Sequence, residues 1–162
     1  MNTAATNPTA TNTAAADPAA ADPAAADVAG PVRPVEQEDR WILNLRGLAV
    51  TRIGVDVRLT LFLDGGWEVV LEAPARLSDG AIGPVRPLLP QTQDVAAALP
   101  LFGATVRSAV AFKTGSLRIV FDSGLHLVCR PDASCEAWQV TGPQDRRFVS
   151  RPGGGLATWG PS

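Results

Sequence analysis

His126, the only histidine of the chain, stands three residues before Cys129, and Asp132, Cys135 and Glu136 follow closely. Imidazole, thiolate and carboxylate are zinc ligands, and His-x2-Cys-x5-Cys can be drawn as a zinc site. The surrounding pattern, "LRIVFDSGLHLVCR", alternates as a β-strand does. It therefore sends His126 to one side of its strand and Cys129 to the other. Neither a metal nor another cofactor is expected here; a partly exposed histidine and a buried apolar thiol are.

Nucleophilic catalysis meets the same shortage. A serine or cysteine nucleophile needs a base within hydrogen-bond reach, and there is one imidazole to serve Ser108, Ser116, Ser123, Ser134 and Ser150. None of these serines sits in a Gly-x-Ser-x-Gly elbow. Asp64 and Asp122 read as turn formers, while Glu68 and Glu72 share one exposed strand face. Gly153, Gly154 and Gly155 suggest a phosphate cradle, but that chemistry needs a helix behind the glycines, with its first amides aimed at the anion. "LATWGPS" is no helix, so Pro152 to Gly155 is read as a reverse turn. The chain is not expected to be an enzyme. Arg146, Arg147 and Arg151 form the only local bunching of positive charge. Although solvation is the ordinary role of such a group, these three and Trp159 are the candidate partner-binding residues.

The elements that would hold these residues can be read from composition and period. Residues 1–40 are mostly Ala, Thr, Asn, Asp and Pro, while 41–162 hold all four tryptophans and all five phenylalanines. The repeat "ADPAA" at 16–20 and 21–25 places a helix-breaking proline in every unit, so 1–40 is expected to be a disordered tail. The remaining 120 or so residues can bury a core without disulfides or metal. Charge divides at the same boundary, with −4 before residue 41 and +2 after it. That balance is far from a nucleic-acid footprint, so no nucleic acid is expected. There is neither a run of eighteen apolar residues nor a basic start followed by a leucine-rich stretch, so the expectations are no membrane and a cytoplasmic location.

From Leu48 the period is two. In "LTLFLDGGWEVVL" a three-residue loop, Asp64 to Gly66, sets Leu63 against Trp67, Leu61 against Val69 and Leu59 against Leu71, with Arg58 opposite Glu72. A two-residue loop would turn one strand's apolar side outward. Fifty-eight residues later, the loop Asp122 to Gly124 repeats this grammar, pairing Ile119 with Leu127 and Leu117 with Cys129. Each hairpin follows a further strand-like segment. The expectation is two β-meanders, possible products of a duplication. Between them, "LSDGAIGPVRPLLPQ" is read as a loop. "TQDVAAALPLFG" is read as one short α-helix capped by Asp94 and stopped at Gly103, covering a second, semi-apolar face of Thr60, Phe62, Val70, Val120 and Val128. Trp67 and Trp138 belong to the core, and Trp41 and Trp159 flank the domain.

The segments "LRGLAVTRI", "LPLFGATV", "GSLRIVFDSG", "CEAWQVTGP" and "PGGGLATW" resemble an uncharacterised family of small actinobacterial proteins, a domain of unknown function. The resemblance covers roughly Leu45 to Trp159. It implies no activity or ligand. An aromatic often stands in that family where this chain has Cys135, and a cysteine where it has Ser150. The fold expected is a mainly β, antiparallel sheet, sandwich or roll of about eight strands over 41–162. The function expected is a non-catalytic protein-interaction module, with immunity or antitoxin action as one version. The alternative is a small-ligand-binding domain with a pocket between sheet and helix.

Overall fold

The computed structural model describes residues 32–161. Two short strands, β1 (Val35–Glu36) and β2 (Arg40–Ile42), lead into a meander of β3 (Val50–Val55), β4 (Leu59–Leu63) and β5 (Glu68–Leu71). A hairpin follows, β6 (Ala75–Asp79) and β7 (Val85–Leu88), then 3-10 turns at Pro90–Thr92 and Ala96–Leu101. The second meander is β8 (Val106–Phe112), β9 (Leu117–Phe121) and β10 (Leu125–Cys129). After it come β11 (Trp138–Gly142), β12 (Arg146–Ser150) and β13 (Leu156–Trp159).

All pairings are antiparallel, in a larger sheet ordered β1-β2-β8-β9-β10-β6-β7 and a smaller one ordered β13-β12-β11-β5-β4-β3. Each meander sends its following hairpin to the other sheet: β6 pairs with β10, and β11 pairs with β5. The exchange is symmetric in register. Trp138 pairs with Leu71 as Ala75 pairs with Cys129, and Val140 with Val69 as Leu77 with Leu127. Both meanders carry a bulge at the matching place, between Val50 and Arg52 and between Val106 and Ser108.

The two loop aspartates explain why the halves keep this shape. The Asp64 carboxylate accepts the Ala49 amide at 2.9 Å, and Asp122 accepts that of Thr105 at 3.0 Å. Ala49 and Thr105 bridge to each other, so each loop is anchored where the halves meet. Hydrogen bonds from Thr105 hold the Asp122 carboxyl below its ordinary range.

The hairpin registers are those the alternation predicts, including Leu59 with Leu71, Leu61 with Val69, and Ile119 with Leu127. Gly65 and Gly66 both take positive φ, as the three-residue loop requires. Leu59, Leu61, Val69, Leu71, Leu117, Ile119, Leu127 and Cys129 all point into the core and are buried. Each large side chain buried this way contributes about 1.5–3 kcal/mol, whereas a cross-strand ion pair is worth roughly 0.2–1 kcal/mol, so burial sets the register. The expected Arg58 to Glu72 pair does not form. The ladder ends at Leu59 with Leu71, and Arg58 turns to Asp56 at 3.7 Å.

Other expectations are corrected. Ala96–Leu101 is a 3-10 segment, not an α-helix; Pro100 lies inside it, and Asp94 bridges to Leu89 and does not cap it. Ala98 and Leu101 are buried, so the segment closes the core and does not serve as the cover expected for a second semi-apolar face. That face is in truth two: Thr60, Phe62 and Val70 lie on the outside of the smaller sheet, Val120 and Val128 on the outside of the larger one. "LSDGAIGPVRPLLPQ" contains most of the β6–β7 hairpin, because β7 is an edge strand where Pro87 removes no needed donor. Among the described residues thirteen strands, several of them only two to four residues long, replace about eight. The composition boundary at residue 40 also falls inside ordered structure. Val35–Glu36 pair with Trp41–Ile42, and Lys113 Nζ reaches Glu36 at 2.7 Å. The remainder of the expected disordered tail, 1–31, lies outside the described residues.

Candidate functional site

The glycine run does turn the chain: Gly154 N–H donates to Arg151 C=O at 3.0 Å, and Gly153 takes φ of 80°. It also clasps the other meander. Gly155 N–H donates to Thr114 C=O at 2.9 Å, while the Trp138 indole and the Ser150 hydroxyl both donate to Gly115 C=O at 2.8 Å. A Cβ on Gly115 would stand 2.9 Å from the Gly155 oxygen, so the two backbones touch. The closing motifs thus form a structural clasp, in which the buried Trp138 and Ser150 are both engaged.

His126 lies opposite Val120 and Ser78 on the outside of the larger sheet, and Cys129 points inward. Burial pushes the Cys129 thiol up to about 12. Cys135 is half-buried, its thiol also raised, first by desolvation and then by Asp132. Among the described residues no group of three or more His, Cys, Asp or Glu could hold a metal ion.

The smaller sheet is different. Its registers align one outward residue from every strand in a single line: Arg52 with Phe62, Phe62 with Glu68, Glu68 with Thr141, Thr141 with Arg147, and Arg147 with Trp159. A parallel line of Gly54, Thr60, Val70, Gln139, Val149 and Ala157 runs beside it. The first line carries charge and aromatic rings; the second is uncharged, and its Val70 and Val149 are buried. Two depressions of about 370 and 570 Å³ lie along the lines and meet at Thr141.

Each end of the charged line has the same device. The Arg52 guanidinium sits 4.0 Å from the Phe62 ring centroid, and Arg147 5.4 Å from that of Trp159. Gly54 makes room for the first, since a Cβ there would stand 3.2 Å from the Phe62 ring. Arg147 Nε donates to Gln139 Oε1 at 3.2 Å, which orients the second. Among the described residues neither Arg52 nor Arg147 has a carboxylate partner; the ion pairs found involve Arg40, Arg58, Arg86 and Lys113. A guanidinium stacked on a ring keeps in-plane N–H groups for an acceptor.

Of the expected partner-binding residues, Arg146, Arg147 and Trp159 line one depression together. Arg151 does not join them. It follows the far end of β12, roughly 16 Å along the strand from Arg146 at about 3.3 Å per residue, where its backbone closes the glycine turn. Arg52, Phe62, Glu68 and Thr141 were not singled out by sequence reasoning as site residues. Only Phe62 gave a signal, a large aromatic on the polar side of a strand whose apolar side is Leu59, Leu61 and Leu63. The pairing of β5 with β11 brings the rest together, and alternation says nothing about that.

The profile of a family described as "Family of unknown function (DUF6188)" matches residues 41–160, from Trp41 in β2 to Gly160 after β13. The chain belongs to that family. No curated protein and no solved structure matches it.

Proposed function

We propose that this member of the DUF6188 family is a non-catalytic protein-binding module whose partner docks on the outer face of the smaller sheet. The observation that carries the reading is the line from Arg52 to Trp159, where arginines without carboxylate partners lie over aromatic rings and Trp159 is 52% exposed. Exposed Trp and Arg side chains are the types that dominate protein-interface energetics. Glu68 in the middle of the line and Asp145 at one end speak against a polyanion such as nucleic acid on the same face. Immunity or antitoxin action, in a reducing cytoplasm that keeps both cysteines as thiols, is one form such a module takes.

A second reading, a small-ligand site, has one observation in its favour. The depression of about 570 Å³ beside Phe62 and Val70 has the size of a ligand pocket, although it lies on the sheet's outside and not beneath the 3-10 segment.

Affinity capture with the purified full chain from native lysate tests the first reading. One protein recovered in stoichiometric amount by wild type, and lost with Arg147→Glu and with Trp159→Ala at unchanged Tm, is the expected result. Equal recovery by wild type and both variants overturns it. Tm elevation by a metabolite, with no protein recovered, transfers the face to the second reading.

A further inference from the structure

The spacing of charge along the Arg52 to Trp159 line defines the chemistry of what fits it. Arg52 and Glu68 are two strands apart, as are Glu68 and Arg147. At about 4.8 Å per strand, positive, negative and positive groups follow one another at about 10 Å. A partner must therefore present acid, base and acid at that interval. An extended β-strand does not, because residues three apart lie about 10 Å apart but point to opposite sides. A polyproline-type segment does: it has three residues per turn and rises about 3.1 Å per residue, so every third side chain returns to one face after about 9 Å.

We infer that the outer face of the smaller sheet recognises a polyproline-type protein segment with the pattern acid-x-x-base-x-x-acid, its carboxylates received by Arg52 and Arg147 and its cation by Glu68. The inference rests on the protein-binding reading above and specifies the partner's chemistry. Phe62 and Trp159 hold the two guanidinium groups by their faces, which leaves donors in the guanidinium plane to meet the carboxylates. In the neighbouring line Thr60 and Gln139 are half-buried and border the segment's path, while Val70 and Val149 between and beside them are buried and form the sheet's own packing beneath it. Glu68 rejects a uniform polyanion, which would run across it between the two arginines.

The test uses the purified full chain and two capped synthetic peptides, Glu-Pro-Pro-Lys-Pro-Pro-Glu and its charge-reversed form Lys-Pro-Pro-Glu-Pro-Pro-Lys, titrated by amide chemical-shift perturbation at low salt. The expected result is at least tenfold tighter binding of the first peptide, with shifts confined to β3, β4, β5, β11 and β12 and binding weakened by added salt. The triple variant Arg52→Glu, Glu68→Lys, Arg147→Glu should reverse the preference. Should that variant not fold, Arg52→Gln with Arg147→Gln should bring the two peptides to within threefold of each other. Equal affinity of the wild type for both peptides overturns the inference, as does tighter binding of an oligothymidylate. If the peptides fail to discriminate but Arg147→Glu still loses the captured partner, the charge pattern falls and the docking face stands.

Discussion

The two sheets are built on matching registers, yet their outer faces differ. In the larger sheet the line equivalent to Arg52, Phe62, Glu68, Thr141 and Arg147 is Ser108, Val120, His126, Ser78 and Val85. Inside, the two halves agree: Leu59, Leu61, Val69 and Leu71 in one, Leu117, Ile119, Leu127 and Cys129 in the other, with an aspartate anchoring each loop. The repeated frame serves as an internal control. The larger sheet has stacked arginines of its own, Arg40 and Arg118 over Phe112, with Arg40 paired to Asp39. Among the described residues a glutamate midway between two stacked arginines that lack carboxylate partners occurs in the smaller sheet alone, so the repeated frame does not depend on it. A face freed from structural duty that carries charge in a regular pattern is where recognition is best sought.

The comparison breaks first, and with the largest effect, inside the smaller sheet. Trp67 corresponds to Leu125, and Gly142 to Asp79, which pairs with Leu125. A Cβ on Gly142 would stand 2.6 Å from the Trp67 indole, so the larger ring has required a bare backbone opposite it. Gly142→Ala should cost about 1–3 kcal/mol in urea unfolding, the usual range for overpacking a buried site. In a Trp67→Leu background, which makes this half resemble the other, the same substitution should be close to neutral. An equal cost in both backgrounds would remove the clash as the cause.

Cys129 occupies the place of Leu71 and adds an ionisable group where the first half has none. Because burial raises its thiol from 9.0 to about 12, the native chain holds a proton that the unfolded chain releases. The stabilisation is complete below pH 9 and is lost as pH rises toward 12, with a slope approaching about 1.4 kcal/mol per pH unit. Cys129→Ala is less stable at pH 8 through lost packing, but the gap to wild type should narrow between pH 9 and 11. A constant gap over that range would show that the thiol does not ionise on unfolding there.

The shared frame was legible and the unshared chemistry was not. Alternation and glycine-ended loops located Leu59 opposite Leu71 and Ile119 opposite Leu127, since a slip of one residue would expose an entire apolar side. The exchange of hairpins was hidden because Pro84, Pro87 and Pro90 make β7 look like loop, and edge strands are where proline is tolerated. The short apolar stretch of Ala96 to Leu101 reads as α-helix, but Pro100 lacks the donor such a helix needs, and a 3-10 segment results. Arg146, Arg147 and Arg151 were grouped by nearness in sequence, which a strand does not preserve in space. Arg52 and Glu68 were missed for the converse reason: they meet Arg147 only through the pairing of β5 with β11.

The smallest effect gives the sharpest comparison. If the Arg52 to Trp159 line is not part of the frame, Arg52→Gln, Glu68→Gln and Arg147→Gln should each change unfolding free energy by less than about 1 kcal/mol. That bound follows from the size of an exposed cation–π contact, about 0.5–1 kcal/mol, and from the near-neutrality of surface substitutions elsewhere. Ser78→Ala, at the position equivalent to Thr141 in the larger sheet, should be as small, even though its hydroxyl donates to Gly80 C=O at 2.8 Å beside the hairpin turn. Urea unfolding of the four variants at pH 7 decides the matter. A loss of 2 kcal/mol or more in any one of the three smaller-sheet variants, against near-neutrality of Ser78→Ala, would make the charged line a structural brace peculiar to this half. It would then owe its asymmetry to the bulk of Trp67 and Phe62 and not to a partner.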